Sequence, residues 1–312
     1  MTRPVTIAAI QMPVWSEGET VAQRKRFRVE SIMHWLEEAG KAKADLACLG
    51  ETCTGMNFDL SEVEDAYTGP TTRMVQKLAA HYAMHVVLPV QAMAEGVLRN
   101  TALVIDNAGE IVGRYDKVHP IRSELRDGIV PGNDFPVFDL AFGRVGICIC
   151  HDLSFPESTR VLALRGAEII VWPTYWSGWG EELCYAVIKS RAIDNGVWLV
   201  NTTYGIESHK AWRPGMILGR SGVIGPDGLV LSNAGRYVGM SLCTVDLDQP
   251  RIAHDFSFPG DNDCRTSILA DRRPDAYGPL VDPSLVVPPV PPAGFYATAA
   301  PVQTLIQTTT NA

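Results

Sequence analysis

No apolar run in these 312 residues approaches the roughly 20 that a membrane-spanning helix requires, so an enzyme embedded in a bilayer by helices is excluded. There is no block rich in lysine and arginine. The 27 basic residues against 35 acidic ones leave a formal charge of −8, which removes nucleic acid and membrane surfaces from the expected partners. The seven cysteines (48, 53, 148, 150, 184, 243 and 264) are odd in number and lie among apolar runs, not at the spacing of a disulfide framework, so reduced thiols are expected. No second Cys or His pair at metal-ligand spacing accompanies Cys148 and Cys150, and no zinc site is expected; alternation along a strand would point both to one face. The stretch Gln11 to Ser16 after the first strand lacks a glycine-rich loop, which excludes a Rossmann or flavodoxin-like binding module. The opening residues lack the apolar core and cleavage site of a signal peptide, and a cytoplasmic location is the expectation.

What is present is an ordinary globular composition, 46% hydrophobic and 20% charged, in a chain long enough to bury a sizeable core. Runs rich in Val, Ile and Leu at residues 5–11, 45–50, 85–92, 100–106, 111–116, 143–149, 168–173, 197–203, 217–224 and 239–246 read as strands. Helical periodicity fills Thr20 to Lys43, Thr71 to Ala83 and Glu181 to Asn195, which predicts a layered α/β fold. Asn107 to Gly109 and Pro226 to Gly228 read as hairpin turns, so the sheets are expected to be mixed. Residues 1–280 form the expected catalytic domain, and the Pro- and Thr-rich residues 281–312 a surface tail that cannot build a core alone.

Gly143 to Cys150 reads as an apolar strand that ends on a cysteine and turns toward a helix near Pro156. Such a junction presents the side chain beside free backbone N–H groups able to bind an oxyanion. A thiol with a pKa of roughly 8.5 still needs a base or a positive charge to attack at neutral pH. Glu51 follows the run Leu46 to Leu49, and Lys117 follows the run at 111–116. Singly, Cys150 reads as a structural thiol, Glu51 as a loop carboxylate and Lys117 as a surface charge. Together, all three end predicted strands in the same direction.

The words around them, in this order, resemble those of the nitrilase superfamily. Ala9 to Gln11 resembles its opening strand, Gly50-Glu51 its general-base segment, Tyr115 to His119 its lysine segment and Gly146 to Glu157 its nucleophile elbow. The likeness continues through Arg191 to Asn195, Asn201, Ser221-Gly222 and Arg272 to Pro274, so it covers the chain apart from the tail. It implies a four-layer α-β-β-α sandwich with two mixed sheets, paired as a homodimer or built into a higher homo-oligomer. It also implies that Glu51 takes the proton of Cys150, that the thiolate forms a thioester acyl-enzyme, and that Lys117 stabilises the oxyanion with backbone N–H groups near His151. Nucleophile, base and oxyanion donors are all protein groups, so no metal or organic cofactor is expected.

Glu124 lies seven residues after Lys117, where related amidases carry a further glutamate; Asp127 is its rival. His119 and His151 flank two of the triad positions and admit a Cys–His reading, but a ring directly after the nucleophile usually points away from it, and His151 is read as a substrate contact. Tyr175 and Trp176, in a loop after the strand at 168–173, would overhang Cys150 and line the pocket, or serve as core or dimer contacts. Arg191 reads as support for the fold. Nitrile-cleaving members continue from the nucleophile with Trp-Glu, whereas this chain has Cys150-His151-Asp152. The resemblance therefore implies cleavage of small linear amides or N-carbamoyl compounds, releasing ammonia or an amine. The alternatives are a nitrile hydrolase and a catalytically silent small-molecule-binding relative.

Overall fold

In the computed structural model, which describes residues 2–14, 16–55, 62–175, 181–211, 219–251, 263 and 268–285, the apolar run near the start forms β1 (Pro4–Pro13). Its side chains alternate between two cores: Ile7 and Ala9 face one, Ala8 and Ile10 the other. A strand buried on both faces must lie between two layers. Beside it lie β2 (Leu46–Cys48), β3 (His85–Ala94), β4 (Val97–Ile105) and β5 (Ile111–Asp116), with β4 and β5 returning antiparallel through the predicted turn at Asn107 to Gly109.

The second sheet begins with the hairpin of β6 (Val137–Leu140) and β7 (Gly143–Ile147), followed by parallel β8 (Ile169–Pro173) and β9 (Trp198–Thr202). The chain then touches the first sheet as β10 (Tyr204–Gly205) and returns to the second as β11 (Gly222–Ile224) and β12 (Val230–Asn233). It finishes antiparallel to β1 as β13 (Gly239–Asp246). Strands β6, β10 and β12 fall outside the predicted set; they have four, two and four residues, and β12 is mostly exposed.

Helix α1 (Val21–Lys41) starts where Thr20 and Gln23 close a capping box, and buries Arg28, Ile32, Leu36, Ala39 and Gly40 along one stripe. Helix α2 (Pro70–Tyr82) opens on proline, ends at left-handed Ala83 and crosses α1 so closely that a Cβ on Gly40 would lie 2.2 Å from the Tyr82 ring. These two cover the first sheet. After the short α3 (Arg122–Arg126), α4 (Pro156–Leu164) and α5 (Glu181–Asn195) cover the second, packing Leu162, Ile188 and Ala192 on Ile170, Trp172 and Leu199. Between the sheets, Val87, Val145, Ile147, Val171 and Val200 form the central core. The result is the expected four-layer α-β-β-α sandwich with mixed sheets.

Contacts divide the chain into Met1–Asp271 and Arg272–Ala312; in the second unit the described residues form two 3₁₀ turns, Pro274–Ala276 and Gly278–Val281. Most of the expected tail, residues 286–312, lies outside the described residues. No helix among the described residues is long and apolar enough to cross a membrane, and none of the six described cysteines is in a disulfide. One expectation fails: Cys148 and Cys150 do not share a face. Cys148 joins the outer core under α4 and α5, while Cys150, past the strand end, packs against the core between the sheets.

Candidate active site

Glu51, Lys117 and Cys150 converge from the C-terminal ends of β2, β5 and β7. Thr52, next to Glu51, has φ +49°, and Cys150 itself has φ +46°. Non-glycine residues hold that left-handed conformation only where the surroundings over-determine it. Lys117, 1% exposed, donates from Nζ to Glu51 Oε1 and to Glu124 Oε2, each at 2.8 Å. Asn100 on β4 donates to the same two carboxylates, at 2.8 Å to Glu51 Oε1 and 2.6 Å to Glu124 Oε1. Tyr175 N–H supplies Glu51 Oε2 at 2.7 Å. The 3%-exposed Glu51 carboxylate is thus fixed from three directions.

The electrostatics set the resting protonation. Burial, and then the charge of Glu51, push the Cys150 thiol up to about 12, with Lys117 and the Thr174 hydroxyl opposing. The resting thiol is protonated. Burial works against the Lys117 charge, but the Glu51 and Glu124 carboxylates outweigh it and hold the ammonium above the ordinary lysine range.

Behind Cys150, buried Asp152 ties the 3₁₀ turn Cys150–Ser154 to the segment that carries Lys117. Its Oδ2 accepts from Tyr115 Oη at 2.5 Å and Ile149 N at 2.8 Å, and its Oδ1 from His119 N at 2.9 Å, with His119 Nδ1 at 2.8 Å. His119 also stacks on Phe155 at 4.0 Å. Trp172 Nε1 holds the Cys150 carbonyl at 2.8 Å.

Residues 6–254 match the carbon-nitrogen hydrolase family. The chain belongs to that family. A nitrilase of Pyrococcus abyssi is 33% identical over 254 residues, 78% of this chain and 89% of that protein. The omega-amidase NIT2 of Homo sapiens is 27% identical over 73% of this chain and 86% of its own. In three dimensions, a carbon-nitrogen hydrolase from Helicobacter pylori G27 has the same fold, with a TM-score of 0.73 at 22% identity over 90% of this chain and 99% of that one. An amidase from Nesterenkonia sp. reaches 0.67 at 22% identity over 87% and 94%.

In this carbon-nitrogen hydrolase the remaining predicted residues are distributed unevenly. Glu124 meets Lys117, whereas Asp127 is exposed as the C-cap of α3. His151 stands on the 3₁₀ turn after Cys150 with Nδ1 3.4 Å from Ser154 Oγ; burial, then Lys117 and His119, lower its pKa and keep the ring neutral. Tyr175 contributes its backbone to Glu51, while its ring leans on Tyr204, with centroids 5.4 Å apart. Trp176 lies outside the described residues. Arg191 Nε reaches the Leu153 carbonyl at 3.3 Å, beneath the nucleophile turn. Sequence reasoning passed over Asn100 and Tyr204, and used Asp152 only as part of the Cys150-His151-Asp152 word. Asn100 had a signal, an amide inside the strand run 100–106, where a buried polar group requires partners.

Proposed function

We propose that this enzyme cleaves the C–N bond of small linear amides or N-carbamoyl compounds through a thioester on Cys150. The supporting observation is the buried Glu51–Lys117 contact at 2.8 Å, at strand ends that also bring in a cysteine held left-handed. Glu51 takes the Sγ proton as sulfur bonds to the substrate carbonyl carbon, and Lys117 with the backbone near His151 faces the oxyanion. The C–N bond then breaks, Glu51 gives its proton to the leaving amine, and water, deprotonated by Glu51, opens the thioester. The acid departs, the proton returns to sulfur, and the cycle closes. Glu124, bonded to Lys117 and Asn100, keeps both aligned on the carbonyl. A glutamate-to-glutamine mutant of the Nesterenkonia sp. amidase carries the acetamide moiety of fluoroacetamide covalently on its active-site cysteine, which supports a cysteine nucleophile here.

Nitrile hydrolysis is the second reading, favoured by the names of the Pyrococcus abyssi relative and of a probable nitrilase of Schizosaccharomyces pombe, 30% identical. Ammonia release from a panel of amides, N-carbamoyl compounds and nitriles, with Cys150→Ala in parallel, separates the readings. Turnover of amides or ureides that vanishes in Cys150→Ala is expected. Turnover of nitriles alone overturns the first reading, and silence across the panel overturns both.

A further inference from the structure

Arg28 and Tyr204 lie outside the catalytic constellation yet hold its base. Arg28 belongs to α1, the covering helix, but is only 6% exposed: its guanidinium donates to the carbonyls of Pro13 and Val14 and to Ser16 Oγ at 2.6 Å, and lies over the Tyr204 ring, 5.2 Å from its centroid. A cation so placed is attracted to the ring face and gains strength from desolvation. Tyr204, 2% exposed, reaches the general-base segment in three ways. Its hydroxyl donates to the Glu51 carbonyl, which also accepts from Thr52 Oγ1 at 2.8 Å. Its ring lies against Gly50 so closely that a Cβ there would be 3.3 Å from Cε2 and Cζ. The same ring supports Tyr175, whose N–H fixes Glu51 Oε2. Thr202 Oγ1 adds a bond to the Leu49 carbonyl at 2.8 Å, so the end of β9 and the start of β10 together clamp residues 49–51.

We propose that Tyr204, braced by Arg28, is the positioning residue of the general base, setting both the main chain and the carboxylate of Glu51 against Lys117. This rests on Glu51 being the base. The turn holds left-handed Thr52 beside Glu51, and misplacement by about 1 Å can lower a rate by roughly a hundredfold. Tyr204→Phe leaves the Glu51 carbonyl with its Thr52 partner, so folding should survive while the turn gains freedom.

The test compares wild type, Tyr204→Phe, Arg28→Met and the double variant on propionamide, or on whichever panel compound is cleaved fastest. Each single variant is expected to lower kcat by roughly tenfold with KM unchanged, and the double variant to be no slower than the slower single, as for residues acting as one unit. Iodoacetamide mapping controls for folding: buried Cys48 and Cys53 should stay unreactive. A kcat within about twofold of wild type in Tyr204→Phe overturns the inference. So does a loss of kcat accompanied by alkylation of Cys48 and Cys53, which marks general loosening. If Arg28→Met does not fold, Tyr204→Phe alone decides. Full activity in Glu51→Gln would remove the base assignment itself, a failure distinguishable from an indifferent Tyr204.

Discussion

The two ends of the strands carry the same kinds of charge under opposite conditions. At the C-terminal ends, Glu51 and Lys117 are 3% and 1% exposed. At the N-terminal ends, Arg3 bridges Glu168 at 2.8 Å and Asp248 at 2.7 Å with 41% of its side chain exposed, and Arg251 reaches Glu168 at 3.3 Å. The second cluster ties β1 and β13 of one sheet to the start of β8 in the other; Arg3 and Asp248 in it keep part of their hydration, whereas Arg251 is buried. In the first, desolvation strengthens every interaction and raises the Cys150 thiol, so on the proposed mechanism proton transfer to Glu51 accompanies attack. Burial, more than residue type, separates a structural clamp from a reactive site.

If that contrast holds, damage at the buried end should appear in turnover and damage at the exposed end in stability. Cys150→Ala should lower kcat by more than roughly a thousandfold, and Glu51→Gln nearly as much, with circular dichroism unchanged. His151→Ala should cost less than Glu51→Gln; the reverse order would restore the Cys–His mechanism. Asp152→Asn comes next. Its four partners all reach it as donors or through a histidine nitrogen, so an amide NH₂ must face at least one of them. We expect about 1–3 kcal/mol of lost stability by denaturant titration and a kcat reduced about tenfold or more as the nucleophile turn shifts. Wild-type kcat in Asp152→Asn would show that the turn is held without it.

The same contrast explains what could be read beforehand. Alternation and apolar runs marked most strands and the three long helices, because a strand such as β1 is buried along its length and its pattern is imposed by two cores; their division into two sheets came from the resemblance. The short edge elements β10 and β12 have no such imprint. That Glu51, Lys117 and Cys150 lie together was legible through the resemblance of the words at their strand ends. Tyr204 was not, because in sequence it is one more aromatic after a strand, and only the return of the chain to the first sheet at β10 brings it under Gly50. Arg28 was hidden for the related reason that an arginine on a covering helix reads as solvated.

At the exposed end, Glu168→Gln should leave kcat unchanged and lower stability by about 2 kcal/mol, since it removes the negative charge that two guanidinium groups share. Burial opposes ionisation of Glu168, but its hydrogen bonds from Arg3 and the Arg144 N–H, with the charges of Arg3 and Arg251, hold its pKa below the usual carboxylate range. A depressed carboxylate stabilises the fold above its unfolded pKa, roughly 4.3, and loses that contribution as pH falls through the folded value. The difference between wild type and variant should therefore be full at neutral pH and shrink progressively in acid below about pH 4. A difference that is constant with pH would mean that the clamp acts by packing and not by charge.

The smallest effect is expected at His85, which begins β3 on the same side of the molecule. It is 4% exposed, has Nδ1 3.1 Å from the Asp45 carbonyl and meets Phe142 edge-on at 5.0 Å. Burial lowers its pKa, against the opposing hydrogen bond to the Asp45 carbonyl and the charges of Asp106 and Asp45. Below roughly pH 6.5 the unfolded chain takes up a proton that the folded chain still refuses, so stability falls as pH drops through that window. Thermal midpoints at pH 7.5 and 5.5 should thus differ more in wild type than in His85→Asn, whose side chain does not titrate. Equal slopes would place the acid sensitivity in other groups, and would mean that a nearly closed environment at this end does not act on a titrating group as it does around Cys150.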